Sequence, residues 1–172
     1  MKKKLIPIGI VGYFLVMIAL IGVLGWYWQN FQKTPQQPIE FPHNVHVGKL
    51  KLDCQFCHQF ASKSRFATVP TVKLCVDCHK TAATDRPEVK KLMKYWEDQI
   101  PIEWLKVYSF RKNANVNFSH KPHIRAGVDC STCHGRVDQM ITARKTRNIN
   151  MGFCVSCHRQ AKAPTDCWTC HK

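Results

Sequence analysis

Cysteine and histidine recur in one fixed pattern along this chain of 172 residues. All ten cysteines lie in copies of Cys-x-x-Cys-His, and each copy ends in histidine. This is the spacing of c-type haem attachment, because two thiols bond the porphyrin while the adjacent imidazole reaches the iron. The copies, numbered motifs 1 to 5 in chain order, are Cys54-Gln-Phe-Cys57-His58, Cys75-Val-Asp-Cys78-His79, Cys130-Ser-Thr-Cys133-His134, Cys154-Val-Ser-Cys157-His158 and Cys167-Trp-Thr-Cys170-His171. The sequence therefore predicts five covalently bound haem c groups.

Three other classes of cysteine site fit this pattern poorly. A zinc ribbon pairs its Cys-x-x-Cys units without requiring histidine after each one. A disulfide framework has no use for the histidines, and iron–sulfur proteins space their cysteines differently.

Four histidines remain after one is assigned to each motif, since the chain has nine. They occupy two copies of Phe-x-His-x-x-His, which lie just before motifs 1 and 3 and hold His43, His46, His120 and His123. An electron-transfer haem needs a second axial ligand, whereas a haem that performs chemistry leaves that position open. We therefore expect these four histidines to be the distal ligands of four irons.

The fifth iron then lacks a histidine, and methionine is the usual alternative ligand. Met93 lies on the apolar face of a predicted helix, where core packing explains it. Met140 follows motif 3, and Met151 lies three residues before Cys154. Both Met140 and Met151 stay open as candidates on this reasoning.

The N-terminal segment predicts a membrane anchor. Three lysines precede the uncharged run Leu5–Trp28, and about 20 apolar residues span a bilayer. A cleaved signal peptide would have a shorter apolar region and a small-residue cleavage site, whereas this run ends in the aromatic belt Trp26-Tyr27-Trp28. The positive-inside rule places the lysines in the cytoplasm. We expect an uncleaved single-pass anchor in a bacterial cytoplasmic membrane, with the haem domains on the periplasmic side.

The motifs divide the rest of the chain. We expect a transmembrane anchor at 1–30, a linker at 31–40, a dihaem unit at 41–85 and a trihaem unit at 116–172. Residues 86–115 would form a connecting helix and an extended linker that bridges the units or docks on a partner. The helix is expected within 84–99, with Thr84 or Asp85 as its cap and Pro87 in its first turn.

Composition restricts the fold class and the partners. The net charge is +15, but ten propionates on five haems would lower it to about +5, which removes the main argument for nucleic acid. A chain with so few regular segments cannot build a large side-chain core. We expect a mainly helical and irregular multihaem cytochrome c with a haem-dominated core and one N-terminal transmembrane helix.

Residues 118–171 resemble the small trihaem cytochromes c of the c7/c3 class. The shared pattern is "FSHKPHIRAGVDCSTCH" followed by two more motifs. The resemblance implies that the first histidine of Phe-x-His-x-x-His serves the haem that follows and the second serves the next haem. His120 would then serve motif 3 and His123 motif 4, and by analogy His43 would serve motif 1 and His46 motif 2.

The same resemblance bears on the fifth ligand. A further histidine just before the middle motif serves the last haem in that class. This chain departs there and has Asn150 and Met151 instead. Met151 is therefore our first choice for the haem of motif 5, and Met140 is its main rival.

The whole chain resembles the membrane-anchored pentahaem cytochrome c subunit of alternative complex III, a bacterial quinol oxidoreductase. The features that carry this resemblance are the anchor, the two-plus-three arrangement of motifs, "IPIEWLKVY" between the units and "NMGFCVSCHR" near the end. It implies a subunit that collects electrons from other, quinol-binding subunits and passes them to an electron-accepting cytochrome or copper protein.

Two alternatives are kept. Tetrahaem quinol dehydrogenases of nitrate and nitrite reduction also have one N-terminal anchor, but their first motif continues as Cys-His-x-Met, and here Gln59 and Phe60 follow His58. A multihaem reductase would need an open iron, and the ligand count leaves none if a methionine fills the fifth position.

Overall fold

The computed structural model describes residues 2–31 and 34–171, without the side chains of residues 2–8, 29–31 and 112. The chain divides into two compact units, Met1–Lys33 and Thr34–Lys172.

The first unit is one long helix, α1 (Lys2–Phe31). Its stretch Gly9–Trp28 has a mean hydropathy of 2.2, and none of it is buried within the molecule. By length and composition this stretch can cross a membrane, and a signal sequence near the N-terminus would pass the same test. The predicted N-terminal apolar helix is thus confirmed as a helix.

The second unit consists of short helices joined by irregular segments. These are α2 (Cys54–Cys57), α3 (Val72–His79), α4 (Pro87–Glu97), α5 (His120–Arg125), α6 (Cys130–His134), α7 (Met151–Gln160) and α8 (Cys167–Cys170), with a π-helix at Asn44–Lys49 and 3₁₀ turns at Lys112–Ala114 and Val137–Gln139. Within residues 2–31 and 34–171 there is no strand, and Val116 and His171 form an isolated antiparallel bridge. The expectation of a mainly helical and irregular fold is confirmed.

Short polar side chains cap four of the five helices that carry the motifs, and α3 with motif 2 has no such cap. Asp53, Asp129 and Asp166 precede motifs 1, 3 and 5, and each carboxylate accepts a backbone N–H of the first turn. Asn150 caps α7 in the same way. Such caps satisfy backbone donors that no carbonyl can reach. A helical turn places the two cysteines of a motif, three residues apart, on one face.

The connecting helix α4 begins at Pro87, as expected for a residue without a backbone N–H at the first helical position. The expected cap at Thr84 or Asp85 is wrong. Arg86 is the cap residue and makes no side-chain cap hydrogen bond. Proline removes one of the backbone donors that a cap would otherwise satisfy, which lessens the need for a polar side chain there.

The apolar core of the second unit is small. Among the described residues six hydrophobic side chains are buried: Ile39, Ala61, Val76, Val89, Leu92 and Met140. Ile102 and Trp104 of the extended linker pack against the cluster of Ile39, Val76 and Leu92. The Gln37 side chain exchanges two hydrogen bonds of 2.9 Å with the backbone of Leu105. The extended linker therefore contacts this chain's own core.

The π-helix Asn44–Lys49 packs against the 3₁₀ turn Val137–Gln139, which joins the beginning of the second unit to its second half. The Asn44 amide donates to the Met140 carbonyl at 2.9 Å. A Cβ built on Gly48 would meet the Asp138 backbone carbonyl more closely than real Cβ atoms approach. Glycine at 48 is therefore required for this contact.

Replacement of Gly48 by alanine is expected to destabilise the folded holoprotein by about 1–3 kcal/mol, since backbone must move to admit the methyl group. Guanidinium unfolding followed by haem absorbance measures this. The matched control is Gly152→Ala, where the new Cβ would lie 3.4 Å from Asn150 Oδ1 and the expected change is within about 0.5 kcal/mol. Equal stability of the two variants would contradict the required close contact.

Candidate haem sites

The histidine rings share one hydrogen-bonding arrangement. In seven of them Nδ1 lies 2.5–3.1 Å from a backbone carbonyl oxygen. The ring and carbonyl partners are His46 with Pro42, His58 with Thr68, His79 with Ala82, His120 with Arg65, His123 with Ser119, His158 with Pro164 and His171 with Ala114. A carbonyl only accepts, so Nδ1 must carry the proton. Nε2 then keeps its lone pair, which is the form of imidazole that binds a metal.

The two remaining rings, those of His43 and His134, are half-buried. Nδ1 of His43 is buried without a hydrogen-bond partner among the described residues. Burial, and then the nearby His58 and His46, lowers the pKa of His43 to about 4. Burial, and then His120 and His58, lowers the pKa of His134. Both rings are thereby held neutral at neutral pH, and a neutral ring can ligate a metal.

Three ring pairs lie at one separation. The centroids of His120 and His134 are 6.3 Å apart, those of His46 and His79 are 6.0 Å apart, and those of His123 and His158 are 5.9 Å apart. Each pair joins one motif histidine to one from a Phe-x-His-x-x-His repeat.

That separation fits a metal ion between the rings. A metal–imidazole bond is about 2 Å long, and a ring nitrogen lies about 1 Å from its centroid, so two rings on one metal are about 6 Å apart. His43 lies near His58, and each would disfavour a charge on the other. The donor set therefore fits haem iron at motifs 1 to 4.

A phenylalanine supports both histidines of each repeat. Phe41 stacks on His46 at 4.3 Å and meets His43 edge-on at 4.8 Å. Phe118 lies 4.8 Å from His123 and meets His120 edge-on at 4.9 Å. The sequence reasoning gave these phenylalanines no role. Their occurrence two residues before the first histidine in both repeats was the available sign.

The thiols of motifs 2, 1 and 3 are neighbours in that spatial order. Burial, and then the adjacent Cys130 thiol, raises the pKa of Cys54 to about 11. Burial also raises the pKa of Cys57, to which Cys54 and Cys78 contribute. Motif 1 therefore lies between motif 2 and motif 3.

The thiols of motifs 3, 4 and 5 continue the series. The pKa of Cys133 is raised by burial and then by Cys157. The pKa of Cys154 is raised by burial and then by Cys170 and Cys133. The five motifs thus follow one another in space as 2, 1, 3, 4, 5, and none of the ten cysteines, all of which are described, forms a disulfide.

The structure places the two candidate methionines differently. Met151 is the first residue of α7 and is 69% exposed, whereas Met140 is 8% exposed and borders a cavity of about 490 Å³ beside Arg136 and Arg147. Neither is brought into a described contact with His171. Met93 packs against the core cluster, as expected for a core residue.

Comparison with known proteins finds matches in two separate regions of the chain. Residues 116–172 match the family described as cytochrome c7 and related cytochrome c, and residues 28–102 match the class III cytochrome c family. The chain is 33% identical over 60 residues to cytochrome c3 of Desulfuromonas acetoxidans, across 35% of this chain and 85% of that protein.

A second relative extends over most of the chain. The multihaem cytochrome c subunit of the menaquinone reductase of Nitratidesulfovibrio vulgaris is 26% identical over 188 residues, covering 92% of this chain and 89% of that protein. Haem c in these families is covalently bound, in agreement with the cysteine motifs. Both parts of the chain that carry the motifs are therefore similar to multihaem cytochromes c of the class III and c7 type.

Proposed function

We propose that this chain is the membrane-anchored pentahaem subunit of a quinol oxidoreductase of the alternative complex III type, relaying electrons from quinol-binding subunits to an acceptor. The observation that carries the proposal is the continuous series of attachment motifs 2, 1, 3, 4, 5. A series without a gap suits transfer of single electrons over a distance.

The ligand set of the proposal follows the ring pairs. Five proximal histidines would come from the motifs, and the distal ligands would be His43 for motif 1, His46 for motif 2, His120 for motif 3, His123 for motif 4 and Met151 for motif 5. Haem c supplies reversible one-electron chemistry at each site. Each Nδ1–carbonyl hydrogen bond fixes the orientation and tautomer of its ring, so the ligand moves little between redox states.

The proposed location is a bacterial cytoplasmic membrane. Helix α1 would be the single-pass anchor, in contact with lipid and with other subunits of the complex, and the second unit would lie on the periplasmic side. The side chains of residues 9–28 are exposed in the isolated chain, as a lipid-facing or subunit-facing helix requires.

Electron flow in the opposite direction, towards a quinone, is the second candidate. The relative from Nitratidesulfovibrio vulgaris is named as a subunit of a menaquinone reductase, in which electrons go to the quinone. In that case motif 5 would be an entry site rather than an exit. A Met-ligated haem of high potential at motif 5 favours an exit in the quinol-oxidising direction.

The experiment uses the full-length holoprotein purified from membranes in detergent, alone and within its native complex. We expect five haems c per chain and no carbon monoxide binding by the reduced protein. We expect quinol to reduce the haems quickly in the complex and no faster than the buffer control in the isolated chain.

The other outcomes decide between the alternatives. Direct reduction of the isolated chain by quinol would make it a quinol dehydrogenase. Stoichiometric carbon monoxide binding would indicate an open iron and a reductase. Rapid oxidation of the reduced isolated chain by a quinone would support the reverse direction.

A further inference from the structure

Residues 64 and 65, which lie in sequence between motifs 1 and 2, hold the start of helix α5. The Arg65 carbonyl accepts the His120 backbone N–H at 3.1 Å and the His120 ring Nδ1–H at 3.0 Å. The Ser64 carbonyl accepts the Lys121 N–H at 3.2 Å. The proposed distal ligand of motif 3 is therefore oriented by backbone from the first half of the unit.

The Arg65 side chain binds the backbone just before His120. Its Nε donates to the Phe118 carbonyl at 3.0 Å, and Nη2 donates to the Val116 carbonyl at 3.3 Å. A planar guanidinium can donate to two carbonyls at once from a rigid group, whereas the single ammonium of lysine cannot hold both in one fixed geometry. Residues 116–120 are thus fixed at both the backbone and the side chain of Arg65.

The same segment also forms hydrogen bonds with motif 5. The Asn117 N–H donates to the Cys170 carbonyl at 2.7 Å, Val116 forms the bridge with His171, and His171 Nδ1 donates to the Ala114 carbonyl at 3.1 Å. One strap, residues 114–120, therefore connects the ring of motif 5 to the distal ring of motif 3.

The position of this strap matters because of the motif order. The step from motif 1 to motif 3 is the only passage in the series 2, 1, 3, 4, 5 that joins the dihaem half to the trihaem half. His120 lies at that passage, because its ring bonds the carbonyl of Arg65, from the segment between motifs 1 and 2, and lies 6.3 Å from the ring of His134 in motif 3.

We propose that Arg65 is a positioning residue that keeps His120 on the iron of motif 3 and so sets the properties of the site at the junction between the two halves. This inference rests on the proposed assignment of His120 as a distal ligand. Arg65 itself is exposed, and its described hydrogen bonds reach His120 only through its own carbonyl. Its replacement is expected to loosen one ligand and to preserve the fold.

The test compares full-length holoprotein variants Arg65→Met, Arg65→Lys and His120→Ala. The control is Arg86→Met, because Arg86 is also exposed and its side chain makes no hydrogen bond or ion pair with the described residues. Carbon monoxide binding to the reduced protein reports iron that has lost its distal ligand, and potentiometric titration reports the potential of each haem.

We expect His120→Ala to open one iron fully. Arg65→Met should bind carbon monoxide at a fraction of one haem per chain, where the native protein binds none, because two ordinary hydrogen bonds that hold the strap are lost. Carbon monoxide binding by Arg65→Lys should fall between that of the native protein and that of Arg65→Met. Arg86→Met should match the native protein. The double variant that combines Arg65→Met with His120→Ala should bind no more carbon monoxide than His120→Ala alone, since both substitutions act on the same iron.

Three results would contradict parts of this proposal, and each contradicts a different part. If His120→Ala opens no iron, the distal ligand assignment fails, and with it the basis for this inference. If His120→Ala opens one iron while Arg65→Met behaves as the native protein, the role of Arg65 alone fails. If Arg65→Met opens several irons or lowers the haem content, Arg65 serves general folding and its specific positioning role is wrong.

Discussion

A chain that carries no haem is expected to have an unfolded second unit. In a variant with all ten cysteines changed to serine, and with absorbance showing no bound haem, we expect the near-ultraviolet circular dichroism of the second unit to be lost. Thermal unfolding should show no cooperative transition. Limited proteolysis should cut throughout residues 34–171.

The reason is the size of the core. Ordering the backbone costs about 1–2 kcal/mol per residue, whereas burying a large apolar side chain returns about 1.5–3 kcal/mol. Six buried hydrophobic side chains cannot offset that cost for a unit of this length. Exposed apolar residues such as Phe60, Phe66 and Trp168 need a covering group, and haem faces would supply it.

The control for this result is the loss of one haem. The variant Cys75→Ser with Cys78→Ser should keep cooperative unfolding, because α3 still contributes Val76 to the cluster with Ile39 and Leu92. A cooperative transition in the ten-serine variant would show that the polypeptide folds by itself, against this account.

The second large effect is expected at Met151. Replacement of Met151 by histidine should lower the potential of the highest-potential haem by a sizeable part of the roughly 0.8 V range that axial ligands cover. Histidine donates more strongly to oxidised iron than a thioether does, so it favours the oxidised state. Met151 is exposed at the start of α7, so the substitution should leave packing unchanged.

A matched substitution distinguishes the two methionines. Met140→Leu keeps an apolar side chain of similar volume at this buried position and removes the sulfur, so the highest potential should stay as in the native protein. If Met140→Leu moves that potential and Met151→His does not, Met140 is the distal ligand of motif 5.

The sequence was most informative where chemistry is local. A Cys-x-x-Cys-His motif carries its own geometry, so the attachment sites, the helical character and the long apolar N-terminal helix could be predicted from short patterns. The count of histidines predicts four distal ligands; three of them lie at a ring separation that suits one metal, and the assignment stays a prediction. The cap of α4 was predicted wrongly, because Pro87 makes a polar cap less necessary.

The rest depends on contacts between distant residues. The motif order 2, 1, 3, 4, 5 follows from contacts such as those of Asn44 with Met140 and of Ser64 with Lys121, which no periodicity reveals. Arg65 is one of many basic residues in the sequence, and only its two carbonyl partners distinguish it. The ligand of motif 5 is open for the same reason, since neither methionine has a local pattern that specifies its partner.

The positions of the ligands along the chain also set the order in which the haem sites can be completed during export. In the proposed assignment each distal ligand precedes the motif that it serves: His43 and His46 come before motif 1, His120 and His123 before motif 3, and Met151 before motif 5. A chain exported from its N-terminus therefore presents every sixth ligand before the matching cysteines emerge. The carbonyl of Arg65 likewise emerges before His120, so the first half can act as a template on which the second half matures.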